Sequence, residues 1–180
     1  MNNSTGASFS RPLIILHWAL AALVLALLAA VELHEVFPKD SLMRGLFMKT
    51  HFWLGLSVGL LTLIRLWVRW GQHPAPITPP IALWQERLAA VVQWAFYAIL
   101  LVMPVLGYLL INAKGFDLSI GPLSLGHWVQ QDKELVETLE ELHETLGNVF
   151  IALVALHVGA ALYHHHILKD STFSRLQPPQ

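Results

Sequence analysis

Four stretches of this 180-residue chain are apolar for long enough to cross a bilayer, and nothing else in the sequence constrains the fold as strongly. They cover residues 13–31, 51–70, 88–111 and 146–163. A hydrocarbon core of about 30 Å takes about 20 helical residues to span. Within it, every backbone N–H and C=O must find a partner inside the protein, which a helix provides by itself. The expected fold is an all-α membrane protein, a four-transmembrane-helix bundle, with residues 1–180 forming a single membrane domain. Composition agrees: 55% of residues are apolar and 13% charged, against about 45–50% and about 25% in soluble domains. A formal net charge of −1 gives no basic surface for nucleic acid. Cysteine is absent, which excludes disulfides, cysteine-ligated clusters and thioether-attached haem.

The first run follows Arg11 but is longer than the h-region of a signal peptide and lacks a convincing cleavage site, so it reads as a retained helix. Residues 72–80 (QHPAPITPP) cannot continue a helix, and Pro104 is expected to kink the third span. Residues 112–131 read as a loop. Residues 132–145 read as an amphipathic helix, either lying at the surface or leading into the fourth span. Trp18, Trp53, Trp67, Trp70 and Trp128 fall near expected span ends, as aromatic belts do.

Four spans place both termini on one side. That side holds Arg11, Arg65, Arg69, Arg87, Lys169 and Arg175; the other holds Lys39, Arg44, Lys49, Lys114 and Lys133. The excess of one basic residue orients both termini toward the cytoplasm. Acidic residues divide more unevenly. Glu32, Glu35, Asp40, Asp117, Asp132, Glu134, Glu137, Glu140, Glu141 and Glu144 all belong to the outer side.

Within this frame four histidines stand out. His17 and His157 lie inside apolar spans, and His51 and His143 at the heads of two others. Ionisable residues at membrane depth need partners and mark function. His143 and His157 are 14 residues apart, an interval that returns to within about 40° of the same helix face about 21 Å along the axis. Chain direction sorts the four by depth, His17 with His157 near the inner side and His51 with His143 near the outer. Each pair joins two helices. Two nitrogens per level are too few for a structural zinc site, which takes four ligands. Haem brings four equatorial nitrogens of its own and needs only two axial ligands, so two b-type haems, one per level, account for the pattern. Arg65 and Arg69 are candidates to meet haem propionates at the inner side or, equally, to snorkel to the interface. Gly55, Gly59, Gly147 and Gly159 let helices approach or leave room for a flat macrocycle. His164, His165 and His166 read as interfacial residues or as neighbours of the inner haem. His34, His73 and His127 carry no special signal.

At this point the chain resembles the prokaryotic cytochrome b561 family, related to the cytochrome b subunits of nickel–iron hydrogenases. The resemblance runs from RPLIILHW at the start to HVGAALYHHHILKDSTFSRL near the end, and is sharpest in LHETLGNVFIALVALH and HHHILKDSTFSRL. KTHFWLGLSVGLLTLIRLWVR resembles the second helix of the family. The resemblance implies a di-haem electron carrier of the bacterial inner membrane, with His17 and His157 holding one haem and His51 and His143 the other. It also implies electron exchange between membrane quinone and a second partner, which in some members is superoxide. The acidic outer loops work against an anionic substrate, so a redox protein with a cationic site or a membrane quinone is the easier partner. Lys169 and Asp170 are candidates for a role at the inner face. Two rival readings are an anchor subunit that accepts electrons from a larger dehydrogenase or hydrogenase, and a haem-free metal transporter.

Overall fold

A computed structural model describes residues 9–72, 76–116, 119–120, 123–124 and 126–177. His73 and Asp117 lie outside the described residues. The elements run α1 (Arg11–Val36), α2 (Leu42–Arg69), α3 (Leu83–Ala113), β1 (Ser119–Ile120), β2 (Leu123–Ser124) and α4 (Lys133–Tyr163). Beyond α4 come a π-helical turn, His164–Leu168, and a short 3-10 turn, Ser174–Leu176. All four α-helices are long and apolar enough to cross a membrane.

The helices begin where local chemistry allows. Pro12 sits in the first turn of α1, where a missing N–H costs nothing. Ser41 caps α2 by accepting from the Arg44 N–H at 3.2 Å, and Asp132 caps α4 by accepting from the Leu135 N–H at 3.0 Å. These caps lie well ahead of the apolar runs. The 28 residues of α2 are therefore about 42 Å long, and the 31 of α3 and α4 about 46 Å. The amphipathic lead-in at 132–145 continues into the fourth span without a break. The expected loop at 112–131 gives up Asn112 and Ala113 to α3 and contains the two-residue antiparallel pair β1–β2.

The helices pack in chain order, α1 on α2, α2 on α3 and α3 on α4; among the described residues α4 does not run closely along α1 or α2. All four meet through side chains at mid-height. There Leu20 and Val24 from α1, Val58 from α2 and Phe150 from α4 form one buried cluster, with Phe96 and Leu100 of α3 against it. Helix α2 packs tightly on α3 at Gly59. A Cβ on Gly59 would lie 3.0 Å from Pro104 Cγ, so any larger residue there presses on α3. Facing outward are large apolar side chains such as Leu25, Leu60, Val91 and Leu156, the surface that hydrocarbon tolerates.

Both described termini lie at one end of the bundle, where Phe9 N–H donates to the Arg175 carbonyl at 3.1 Å. At the opposite end Arg44 ties the α1–α2 turn together, donating to the His34 and Phe37 carbonyls and to Glu35.

Candidate functional site

The fold brings the four histidines together two by two, as their depth requires. The rings of His17 (α1) and His157 (α4) lie 6.2 Å apart, centre to centre, and are inclined at 65°. Those of His51 (α2) and His143 (α4) are also 6.2 Å apart and inclined at 72°. Both pairs span the gap that α4 leaves toward α1 and α2. Phe150 stands seven residues from His143 and seven from His157, so its buried layer separates the two pairs.

None of the four sits at a helix end. His17 is six residues into α1, His51 nine into α2 and His143 ten into α4. The expectation that His51 and His143 head their spans is corrected here. Capped polar turns extend both helices outward, beyond what hydropathy registers. Likewise Trp18 and Trp53 are two to three turns inside their helices rather than at the ends.

The surroundings of each ring favour a bound group between them. His51 Nδ1 donates to the Leu27 carbonyl at 3.3 Å. A carbonyl only accepts, so the proton is on Nδ1 and the Nε2 lone pair is free, the arrangement usual for a metal-binding imidazole. His143 Nδ1 is buried without a hydrogen-bond partner among the described residues. Its ring lies against α3 at Gly107, where a Cβ would sit 3.4 Å from His143 Cε1, an ordinary contact distance. Phe96 packs against His157 at 5.3 Å and against Phe150 at 5.8 Å. The ring separations carry chemical meaning. Imidazole nitrogen binds a metal at about 2.0 Å, so two rings facing each other at 6.2 Å would suit one ion held between them. Among the described residues no three His, Asp or Glu side chains gather as a self-sufficient metal site would need. Two donors per level suit a cofactor that brings its own equatorial ligands, and haem is such a group.

Of the two candidate arginines, Arg65 reaches the inner pair. Its Nη1 donates to the Leu13 carbonyl at 3.4 Å, one turn ahead of His17 on α1. Arg69 closes α2 half-buried and makes no side-chain hydrogen bond or ion pair among the described residues. Gly55 and Gly147 meet side chains at ordinary contact distance, while Gly159 faces open space.

Sequence reasoning missed the fastening at the termini end. His164 Nδ1 donates to Asp170 Oδ2 at 2.5 Å, and Thr172 N–H donates to Asp170 Oδ1 at 2.9 Å. Lys169 makes the sharp turn between them with φ of 53°. From there the C-terminal segment reaches the α2–α3 connection, where Ser171 N–H donates to the Thr78 carbonyl at 2.9 Å. It also reaches α1, where Trp18 Nε1 donates to the Leu176 carbonyl at 3.0 Å. The rings of His165 and His166 meet edge to face at 4.7 Å, and His127 is exposed in the opposite-end loop. The HHH run signalled a site, but no pattern in it singled out His164 or tied it to Asp170.

Burial alone would raise the Asp170 carboxyl, but hydrogen bonds from Thr172 and His164 outweigh it and hold the group below its ordinary range. Its contribution to holding the segment is therefore complete above the usual aspartate value of about 3.9 and is lost only as pH falls below that. Asp170→Asn is expected to speed amide exchange across residues 169–177 at neutral pH and leave α2 and α3 unchanged. Exchange indistinguishable from wild type would show the contact to be idle.

With this geometry in view, the comparisons with known proteins point one way. Residues 8–178 match the family model described as "Prokaryotic cytochrome b561". The chain is 34% identical to "Cytochrome b561 homolog 1" of Escherichia coli K12 over 170 residues, covering 94% of this chain and 97% of that protein. It is 28% identical to "Probable superoxide oxidase CybB" of Yersinia pestis, covering 91% and 92%. It is 26% identical to "Cytochrome b562" of Cereibacter sphaeroides, covering 96% of each. The long apolar helices, the paired imidazoles and a match over nearly the whole length make this chain a member of the prokaryotic cytochrome b561 family, membrane cytochromes whose cofactor is haem b.

Proposed function

We propose that the protein carries electrons across the bacterial inner membrane through two haem b groups, one held by His17 and His157 and the other by His51 and His143. The observation that carries this reading is the equal 6.2 Å separation of the two ring pairs on either side of the Phe150 layer. Each haem, when bound, supplies a reversible one-electron iron couple. The chain's own residues do the rest. Two imidazoles per level would hold each haem from the protein side, an arrangement that suits electron transfer rather than chemistry at the metal. The Leu27 carbonyl orients His51, and the buried Phe150 layer lies between the two levels.

Membrane quinone is the exchange partner that fits best, meeting the protein at the termini end near the His17–His157 pair. His164, held by Asp170, stands seven residues beyond His157 on the same helix face and is placed to move a proton there. Both termini then face the cytoplasm, in line with the small excess of basic residues at that end. Superoxide is a narrower substrate, suggested by the name of the Yersinia relative. The exposed Glu134, Glu137, Glu141 and Glu144 along the start of α4 disfavour an anion. They favour a second reading, in which a redox protein with a cationic face docks at the outer end and this chain serves as its membrane anchor.

A reduced-minus-oxidised spectrum of the haem-loaded protein with haem stoichiometry tests the proposal. B-type bands and two haems per chain are expected. A preparation that stays colourless despite ample haem would return the chain to the metal-transporter reading. Quinone turnover by the isolated chain separates the quinone-linked reading from the anchor.

A further inference from the structure

Arg65 is a half-buried cation near the end of α2, and among the described residues no acid answers it. It follows His51 by 14 residues on α2, the interval that separates His143 from His157 on α4. Such an interval returns to nearly the same face about 21 Å further along. Helix α2 thus presents an imidazole at one level and a guanidinium at the other. The side chain is half-buried and donates to the Leu13 carbonyl, one turn ahead of His17. Among the described residues no carboxylate lies within ion-pair reach of it. A charge at this depth is costly and marks function.

The wider field has the same sense. The termini end holds six basic residues and two acidic ones, Glu86 and Asp170, and Asp170 is engaged by His164. The opposite end holds ten acidic residues and five basic ones in the sequence. Exposed Glu140, Glu141 and Glu144 stand within a turn of His143.

We propose that Arg65 makes the His17–His157 site the higher-potential of the two, so that electrons entering at the His51–His143 end are drawn toward the termini. This rests on the two-haem reading above. Reduction adds an electron, and a neighbouring positive charge stabilises the reduced state, more strongly in a low-dielectric interior than in water. The step is a one-electron exchange between the two sites, oxidising one and reducing the other, with no bond made or broken.

Optical redox titration of the haem-loaded protein tests this, with His17→Ala and His51→Ala identifying which spectral component belongs to which pair. In wild type, the component lost in His17→Ala is expected to titrate at the higher potential. Arg65→Gln is expected to shift electron sharing between the sites at least tenfold toward the outer one, which is 59 mV for a one-electron couple. Arg65→Lys should preserve the wild-type order. A wild-type order that is equal or reversed overturns the proposal without any Arg65 variant, so loss of haem from Arg65→Gln would not shield it. An Arg65→Gln protein with both haems and an unchanged gap also overturns it. Fewer than two haems in wild type would sink the two-haem reading and this proposal together, whereas two haems of equal potential would sink only the proposal.

Discussion

Alanine at His157 is expected to leave the protein with one haem instead of two, and the component it loses should be the one lost on substituting His17. Alanine at His143 should remove the other component, matching the loss from His51. The four variants therefore sort by depth and not by helix. His143 and His157 share α4 yet belong to different losses, because their rings face His51 and His17 across the gap at the same 6.2 Å. Haem content per chain, read with the difference spectrum, is the measurement, and a fall by half is the expected size. If both α4 variants lost the same component, the pairing would be wrong. If all four kept two haems, ligation by these residues would be wrong.

The second large effect is expected at Gly59. Its missing Cβ would lie 3.0 Å from Pro104 Cγ and 3.3 Å from Pro104 Cβ. The proline ring cannot swing aside, since it is built into α3. Gly59→Ala is therefore expected to push α2 and α3 apart by a few tenths of an ångström, at a cost of about 1–3 kcal/mol for overpacking a tight contact. Gly59→Leu should cost more and disturb the His51–His143 pair, because α2 carries His51 and α3 lies against the His143 ring at Gly107. Gly45 provides the comparison. A Cβ there meets nothing within 4 Å, so Gly45→Ala should leave stability equal or slightly raised by helix propensity. The midpoint of thermal haem release in detergent reports the difference. A Gly59→Ala protein as stable as wild type would mean that the crossing gives way freely.

Much of the site was legible in the chain because a membrane makes exceptions conspicuous. An imidazole among leucines and valines, as at His17 and His157, needs a reason, and 14-residue spacing on a helix is arithmetic. Helix ends were less legible. Hydropathy detects where a segment meets hydrocarbon, whereas the helix ends where Ser41 and Asp132 satisfy its first N–H groups, several residues earlier. That is why His51 and His143 are in the bodies of their helices. The tie between His164 and Asp170 was hidden for another reason: it depends on a π-helical turn and a left-handed Lys169, which no residue pattern announced.

The amino-acid order alone determined that four helices cross the membrane and how far apart along each axis its histidines, Arg65 and Phe150 stand, because helical rise and periodicity are set by the backbone. Which faces turn toward one another was decided only in three dimensions. Packing of Gly59 on Pro104, and the stand-off of α4 from α1 and α2, depend on contacts between segments distant in the chain, and those contacts aim two pairs of imidazoles across one gap and place a guanidinium beside only one of them.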